Sequence, residues 1–259
     1  MQSITVIKIG GNVIDKQEAL AQLIQKFVRI EGYKLLVHGG GVLANEMLDK
    51  AGIPVQMHEG RRITDLETLK MCTMVYAGWL NKTITAQLNE AGCPAVGLSG
   101  VDANIVPATK RAPNPVDFGY VGDVEVERIN TKFLHTLFEQ GLCPVMCAIS
   151  HNTQGGLLNT NADTMASAIA VALAQSAPTS LVYCFEKNGV LMDMNDDASV
   201  ISILTPTHYK QLKDQHIINK GMIPKLDNAF LALEKGVREV HIKHANHLLE
   251  KAIGTLLKT

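Results

Sequence analysis

The chain has 259 residues, of which 46% are hydrophobic and 19% are charged, and its formal net charge is -1. This balance excludes a bulk positive field that would recruit nucleic acid or an anionic membrane, and the most apolar helical segment, residues 165–177, is too short and polar to span a bilayer. The five cysteines form no CxxC pair, and the first strand begins too near the start for a signal peptide, so we expect buried thiols in a cytoplasmic protein.

Short apolar runs alternate with longer amphipathic segments along the chain. In chain order the pattern predicts a strand over 4–9, a helix over 20–27, a strand over 34–37, a helix over 42–50, a long helix over 66–90 kinked near Gly78, and a strand over 95–98. Further along it predicts hairpins and turns over 107–127, helices over 133–140, 164–175, 206–215 and 224–235, and strands over 144–149, 181–185 and 239–242.

Strands separated by helices predict one α/β domain with a mostly parallel sheet. The segment SAPTS interrupts the pattern near residues 175–180. We therefore expect two lobes within the domain, of about 1–177 and 178–259.

Glycines follow two of the predicted strands, and a lysine precedes one of them. Lys8 lies inside the first apolar run, just before Gly10-Gly11, and Gly39-Gly40-Gly41 follows the second run. Glycine lets backbone N–H groups approach an anion closely, and ligands of open α/β sheets bind at the carboxyl ends of strands. The pattern predicts two anion sites that face one another, and the alternative is a pair of tight turns without a ligand.

Three standard fingerprints are missing from these glycine segments. There is no GxxxxGK[ST], which excludes a P-loop kinase, and no GxGxxG spacing, which argues against a dehydrogenase. No GxSxG accompanies the HGGG segment, which makes a serine hydrolase improbable.

Three more segments carry polar side chains suited to an anionic substrate. Arg61-Arg62 precedes a predicted helix, residues 159–163 read NTNAD, and Lys225 lies at another helix start. Arginine binds carboxylates through two parallel hydrogen bonds, and a lysine at a helix start is unfavourable unless an anion joins it. Each segment also has a simpler interpretation, namely solvated arginines, helix capping by Asn and Asp, and an exposed lysine.

Taken in order, VIKIGG, VHGGG, GRRIT, VDFGYVGDV, LLNTNAD and GMIPK resemble the motifs of the amino-acid kinase family over essentially the whole chain. The resemblance implies a three-layer α-β-α sandwich with an open, mainly parallel central sheet. It implies an acyl-amino-acid site in the N-terminal lobe and a nucleotide site in the C-terminal lobe. The implied reaction is phosphorylation of the γ-carboxylate of an N-acylated glutamate by ATP with Mg²⁺, a step of arginine synthesis.

The same resemblance assigns roles to individual residues. Lys8 and Lys225 would contact the phosphates and stabilise the transferring phosphoryl group, and Asp163 would hold both lysines. Gly10 and Gly11 would lie at the phosphates, with the Gly11 N–H donating to the transferred group.

On the substrate side, Gly40 and Gly41 would hold the acylated amino acid through backbone donors. Arg62 would bind a carboxylate of the substrate, and Asn159 would bind near its α-carboxylate. We predict no metal site made by the chain itself, because Mg²⁺ would arrive with ATP.

The sequence does not determine which acyl group the glutamate substrate carries. We take N-acetylglutamate as the substrate, with N-succinylglutamate as the alternative. A succinyl group would require one more cation, for which Arg61, Lys110 or Arg111 could serve.

The chain departs from the family pattern at two places. Glu186-Lys187 replaces the Thr-Asp or Ser-Asp pair common after the first strand of the nucleotide lobe, so we assign these two residues no role. No additional helix precedes Lys8, so we expect an arginine-insensitive homodimer. A non-catalytic sensor on the same fold is the competing function, and a metal site at His241, His244 and His247 is disfavoured because His241 lies in a predicted strand.

Overall fold

The computed structural model describes residues 2–218 and 222–259. Gly221, the first residue of the predicted GMIPK motif, lies outside these residues. No helix within the described ranges combines the length and the apolar character needed to cross a membrane.

An eight-stranded sheet with the order β12-β14-β13-β11-β1-β2-β8-β5 forms the centre of the fold. All neighbouring strands in it are parallel except β13 and β14, which pair antiparallel. The strands within the described residues are β1 Ile4–Ile9, β2 Tyr33–His38, β3 Gln56–His58, β4 Arg61–Ile63, β5 Ala95–Leu98, β6 Ala108–Lys110, β7 Gly122–Val124, β8 Cys143–Cys147, β9 Ile149–His151, β10 Leu157–Asn159, β11 Thr179–Phe185, β12 Ile203–Leu204, β13 Glu239–His244 and β14 Thr255–Leu257.

Helices cover both faces of this sheet and give three layers. The helices within the described residues are α1 Gly11–Ile14, α2 Gln17–Phe27, α3 Gly41–Lys50, α4 Leu66–Thr73, α5 Asn81–Glu90, α6 Thr131–Glu139, α7 Ala162–Ala174, α8 Pro206–Asp214 and α9 Ile223–Glu234. Buried side chains of α1 to α5 pack against one face, and those of α6 to α9 pack against the other. The α/β sandwich expected from the sequence is thereby confirmed.

The alternation of side chains along strand β1 determines the direction of the Lys8 side chain. Ile4 and Val6 pack on the α6 to α9 side, whereas Ile7 and Ile9 pack on the opposite side. Because side chains alternate along a strand, Lys8 points to the side of α7 and α9.

The segment 66–90 is one long helical unit whose middle is π-helical. The π-helical segment, Met74–Leu80, lies between α4 and α5 and contains Gly78, where the sequence predicted a kink. A π turn holds one residue more than an α turn, so it changes which side chains face the sheet.

Two segments contain short hairpins that the sequence pattern did not predict. Arg61 and Arg62 precede the helix that begins at Leu66, as expected, but they lie in β4, which pairs with β3 as a short hairpin. The predicted strand 144–149 divides at Ala148. Up to Cys147 it belongs to the main sheet, and from Ile149 it pairs with β10 in a separate hairpin.

The expected lobe boundary near 175–180 falls between α7 and β11. Strand β11 pairs directly with β1, so the main sheet continues across this position. Both halves of the chain therefore contribute to one edge where the parallel strands end.

Candidate functional site

Lys8, Asp163 and Lys225 meet at the carboxyl edge of the sheet. Lys8 lies near the end of β1, Asp163 in the first turn of α7, and Lys225 in the first turn of α9. Lys8 Nζ lies 2.7 Å from Asp163 Oδ1, and Lys225 Nζ donates a hydrogen bond to Asp163 Oδ2. One carboxylate therefore joins two ammonium groups, and we call these three residues the triad.

The first turn of α7 holds Asp163 in place. The Asn161 side chain caps the helix by accepting a hydrogen bond from the Thr164 N–H at 3.0 Å. The Tyr183 hydroxyl donates to the Asp163 carbonyl oxygen at 3.2 Å. The aspartate therefore has a fixed backbone from which it reaches both lysines.

Burial and charge act in opposite directions on the triad. Burial raises the pKa of Asp163, but the two lysines outweigh this effect and bring its pKa down to about 2. Burial is also the largest effect on Lys8, and together with repulsion by Lys225 it lowers the Lys8 pKa below 10.5 in spite of Asp163. With both lysines protonated, the triad carries one surplus positive charge and is suited to an anion.

Gly10 and Gly11 form the turn between β1 and α1, next to the triad. The Gly10 N–H donates to Cys184 O at 3.0 Å, which ties the turn to β11. A Cβ at Gly10 would lie 4.0 Å from Lys8 Nζ, so the two residues are close neighbours. Gly11 opens α1, and the first N–H groups of a helix have no acceptor within it.

The second glycine turn, Gly39–Gly41, lies between β2 and α3. A Cβ at Gly40 would overlap Leu80 Cδ1 and lie 2.9 Å from Tyr76 Cδ1. Both side chains belong to the π-helical segment. Position 40 therefore accepts only glycine unless that segment moves.

Arg62 and Asn159 face the same space from two hairpins. Arg62 Nη2 donates to Gly41 O at 3.1 Å, whereas Arg62 Nη1 is buried and has no hydrogen-bond partner among the described residues. Asn159 Nδ2 donates to Thr64 Oγ1 at 3.1 Å. A buried guanidinium nitrogen without a partner is costly, so it marks a position for an anionic ligand.

A cavity of about 330 Å³ joins most of these groups. Six residues predicted from the sequence line it, namely Gly40, Gly41, Arg62, Asn159, Asp163 and Lys225. Lys8, Gly10 and Gly11 are not part of this lining. Asp163 and Lys225 of the triad therefore line the cavity, and Lys8 lies next to the Gly10-Gly11 turn.

Two arginines that the sequence offered only as partners for a succinyl group also line the cavity. Arg61 follows the tip of the β3–β4 hairpin, and Arg111 follows β6. Arg111 Nε donates to Asp123 Oδ1 at 3.0 Å, and its guanidinium lies 5.3 Å from the centre of the Phe118 ring. The prolines and glycines of 107–127 marked this region as hairpins without showing that Arg111 turns inward.

A smaller cavity of about 40 Å³ lies in the C-terminal half. Apolar side chains such as Val190, Leu191 and Ile218 line it together with Lys187, whose Nζ is 2.8 Å from Asp197 Oδ1. Glu186 is not part of its lining. Of the two residues that depart from the family pattern, Lys187 is therefore the one placed at a cavity.

Metal ligands do not cluster in the part of the chain that the structure describes. No group of three or more His, Cys, Asp or Glu side chains there could hold a metal ion. His241 lies in β13, as the sequence predicted.

Comparison with known proteins adds to this geometry. The sequence profile of the amino acid kinase family matches residues 3–244. The chain is 49% identical over 257 residues to "Acetylglutamate kinase" of Phocaeicola vulgatus, with 99% of each chain covered, and 49% identical over 263 residues to the protein of the same name from Cytophaga hutchinsonii, again with 99% of each covered. Among solved structures, carbamate kinase from Giardia lamblia bound to AMP-PNP shares the fold with a TM-score of 0.69 at 14% identity, covering 98% of this chain and 97% of that one.

Proposed function

The chain belongs to the amino acid kinase family, and we propose that it transfers the γ-phosphoryl group of ATP to the γ-carboxylate of N-acetyl-L-glutamate. The product is N-acetylglutamyl 5-phosphate, which serves arginine biosynthesis. The observation that carries the proposal is the Lys8–Asp163–Lys225 triad beside the cavity that contains Arg62. The full-length relatives carry the acetylglutamate kinase name, so they do not favour the N-succinyl alternative.

The cavity that contains Arg62 and Asn159 would hold the substrate. The free Nη1 of Arg62 would bind the α-carboxylate, with the Asn159 amide next to it. The N–H groups of Gly40 and Gly41 would hold the γ-carboxylate. This arrangement points the reacting oxygen toward the triad.

The nucleotide would bind with its phosphates at Lys8 and the neighbouring Gly10-Gly11 turn. Lys225 and the N–H groups of Gly10 and Gly11 would also bind these phosphates. The N-terminal lobe of about 1–177 would then hold the substrate, and the C-terminal lobe of about 178–259 would hold most of the nucleotide.

The chemistry needs no general base. A γ-carboxylate with an ordinary pKa near 4.3 is ionised at neutral pH and attacks the γ-phosphorus directly. The bond from the γ-phosphorus to the β–γ bridging oxygen breaks, and ADP leaves with that electron pair. The barrier comes from repulsion between anions, which the two lysines reduce by neutralising the phosphoryl oxygens.

Asp163 would position the lysines and take no proton, because its pKa is about 2 and both its oxygens face ammonium groups. Mg²⁺ would reach the site bound to ATP, with phosphate oxygens and water as ligands, and would neutralise charge on the phosphates.

The active form would be a cytoplasmic homodimer. Met74 and Trp79 of the π-helical segment are 59% and 68% exposed, an unusual state for large apolar side chains on one helical unit. A second copy packing on this surface would cover them. The five cysteines are all free and buried, which fits a reducing compartment.

Trapping of the acyl phosphate as its hydroxamate tests the proposed reaction. Wild-type protein with MgATP should give signal with N-acetylglutamate and far less with N-succinylglutamate, free glutamate or aspartate. Lys8→Ala should abolish the signal, and Lys132→Ala, at an exposed position on α6, should leave it unchanged. A folded wild-type protein that binds MgATP but gives no hydroxamate with any substrate would refute the proposal and favour the sensor.

A further inference from the structure

A buried polar contact lies beside the Gly39–Gly41 turn, outside the residues assigned so far. His38 ends β2 and is fully buried, and Asn81 begins α5 and is 1% exposed. Asn81 Nδ2 lies 3.1 Å from His38 Nε2, and His38 Nδ1 lies 2.8 Å from Gly39 O. The histidine therefore connects the glycine turn to the helix that follows the π-helical segment.

The partners of Asn81 determine which nitrogen of His38 carries the proton. Asn81 Nδ2 donates to Val145 O at 2.9 Å, and Lys82 Nζ donates to Asn81 Oδ1 at 3.2 Å, so the orientation of the amide is fixed. Asn81 Nδ2 also lies 3.4 Å from Leu98 O, which is farther than the 3.1 Å to His38 Nε2, so its second hydrogen donates to the histidine. His38 is consequently neutral with its proton on Nδ1, and the Nδ1–H donates to Gly39 O.

The surroundings keep His38 in this form. Burial lowers the pKa of His38 to about 4, so the ring stays neutral at neutral pH. Protonation would also place a second N–H against the Asn81 amide donor. Gly97 of β5 leaves the room for Asn81, because a Cβ at that position would overlap Asn81 Oδ1.

The π-helical segment contacts the same turn directly. Tyr76 and Leu80 leave no space for a side chain at Gly40, and Asn81 is the next residue after Leu80. One helical unit therefore fixes the turn twice, by packing on Gly40 and by holding His38. Gly41 O in turn accepts the hydrogen bond from Arg62 Nη2, so the position of the turn also affects the arginine.

We propose that His38 and Asn81 are positioning residues that fix the Gly39 carbonyl and thereby orient the Gly40 and Gly41 N–H groups and Arg62 toward the substrate carboxylates. Neither side chain touches the substrate. This inference rests on the proposed function for its substrate. It requires that loosening the contact weakens binding of the acylated amino acid and leaves ATP binding intact, because the triad lies on β1, α7 and α9.

Two variants of His38 separate its two contacts. An Asn side chain places its amide near the position of Nδ1, and a Gln side chain places its amide near Nε2. His38→Gln should lose the donor to Gly39 O and raise KM for N-acetylglutamate about tenfold, the effect of one lost hydrogen bond, with KM for ATP within about twofold of wild type. His38→Asn should keep that donor and give a smaller increase.

Leu35→Val in the same strand is the matched control, because Leu35 is fully buried and lies three residues before His38. This variant should lower the melting temperature and leave both KM values unchanged. An unchanged KM for N-acetylglutamate in His38→Gln, or an equal rise in both KM values, would overturn the inference.

Amide hydrogen exchange tests the positioning without any turnover. Exchange at Gly40 and Gly41 should be faster in His38→Gln than in wild type or Leu35→Val, measured without ligands. Unchanged exchange would overturn the inference whatever reaction the wild type catalyses. If the wild type forms no acyl phosphate while exchange changes as expected, the proposed function fails and the role of His38 in fixing the turn stands.

Discussion

Replacing Asp163 with Asn removes the charge that joins Lys8 and Lys225 and keeps the shape of the side chain. At the 2.7 Å separation of Lys8 Nζ and Asp163 Oδ1, an effective dielectric constant of about 20 gives a gross attraction of about 6 kcal/mol. Desolvation offsets part of it, and breaking a buried pair commonly costs about 3–5 kcal/mol. We expect Asp163→Asn to lower the free energy of unfolding by about 3–5 kcal/mol at pH 7 without nucleotide.

The decrease in unfolding free energy caused by Asp163→Asn should become smaller as the pH rises. Burial already lowers the pKa of Lys8, and in Asp163→Asn the pKa falls further because Lys225 still repels while the aspartate no longer attracts. Between that lowered pKa and 10.5, the unfolded chain binds more protons at this lysine than the folded chain does, so the stability of the variant increases with pH. The difference between wild type and variant therefore narrows toward pH 10.5.

Urea unfolding followed by circular dichroism at pH 7, 8, 9 and 10 measures this difference. Asp123→Asn is the control, because Asp123 pairs with Arg111 and its side chain is 53% exposed. That variant should lose less than about 1 kcal/mol at every pH. A constant difference between wild type and Asp163→Asn across the series would refute the electrostatic reasoning.

Three further predictions concern the groups around the triad. Arg62→Lys replaces two guanidinium nitrogens at separate positions by one ammonium nitrogen, which cannot occupy both the Nη2 position at Gly41 O and the Nη1 position. KM for N-acetylglutamate should therefore rise about tenfold in steady-state assays, and an equal rise in KM for ATP would contradict this. Gly40→Ala should lower the free energy of unfolding by about 1–3 kcal/mol in urea titrations, because the added methyl group overlaps Leu80. Gly41→Ala should lower the free energy of unfolding by less, and an equal decrease in the two variants would contradict the packing argument. The value of kcat/KM should fall on the alkaline side at a pH below 10.5, because burial lowers the pKa of Lys8. A kcat/KM that stays constant up to pH 10.5 would contradict a lowered Lys8 pKa.

The main sheet was predictable because its central strands are buried on both faces. The runs around β1, β2 and β11 are continuous stretches of apolar residues, which is the pattern of parallel strands covered by helices. Lys8 was conspicuous in such a run, and the ordered motifs linked it to Asp163 and Lys225. That part of the candidate site follows from the resemblance to the family's motifs, because capping by Asp163 and exposure of Lys225 were equally compatible with their local sequence.

The sequence of the short β3–β4 hairpin contains no comparable pattern that would predict its strands. All three residues of β3, Gln56–His58, are exposed, so no alternation of apolar and polar residues marks the strand. The sequence correctly placed Arg62 before a helix, but it did not show the hairpin that places Arg62 at the cavity. Strand pairing at this length depends on the surrounding fold and not on the local pattern.

The contact between His38 and Asn81 could not be predicted from either segment. The two residues are 43 positions apart, and their meeting depends on the register of the π-helical segment. No local pattern in MVYAGWL distinguishes a π turn from an α turn. A buried histidine next to three glycines is a signal only when its partner across the fold is known.

Trp79 is the only tryptophan in the chain, and it lies in the π-helical segment, where the residue is 68% exposed. Its neighbour Leu80 contacts Gly40, so the fluorescence of the unmodified protein reports on the helical unit that shapes the glycine turn. Emission at long wavelength corresponds to the exposed ring. A shift to shorter wavelength when the protein concentration is raised, or when a ligand is titrated, reports that the ring has become covered. The segment that orders the turn thus contains its own spectroscopic label.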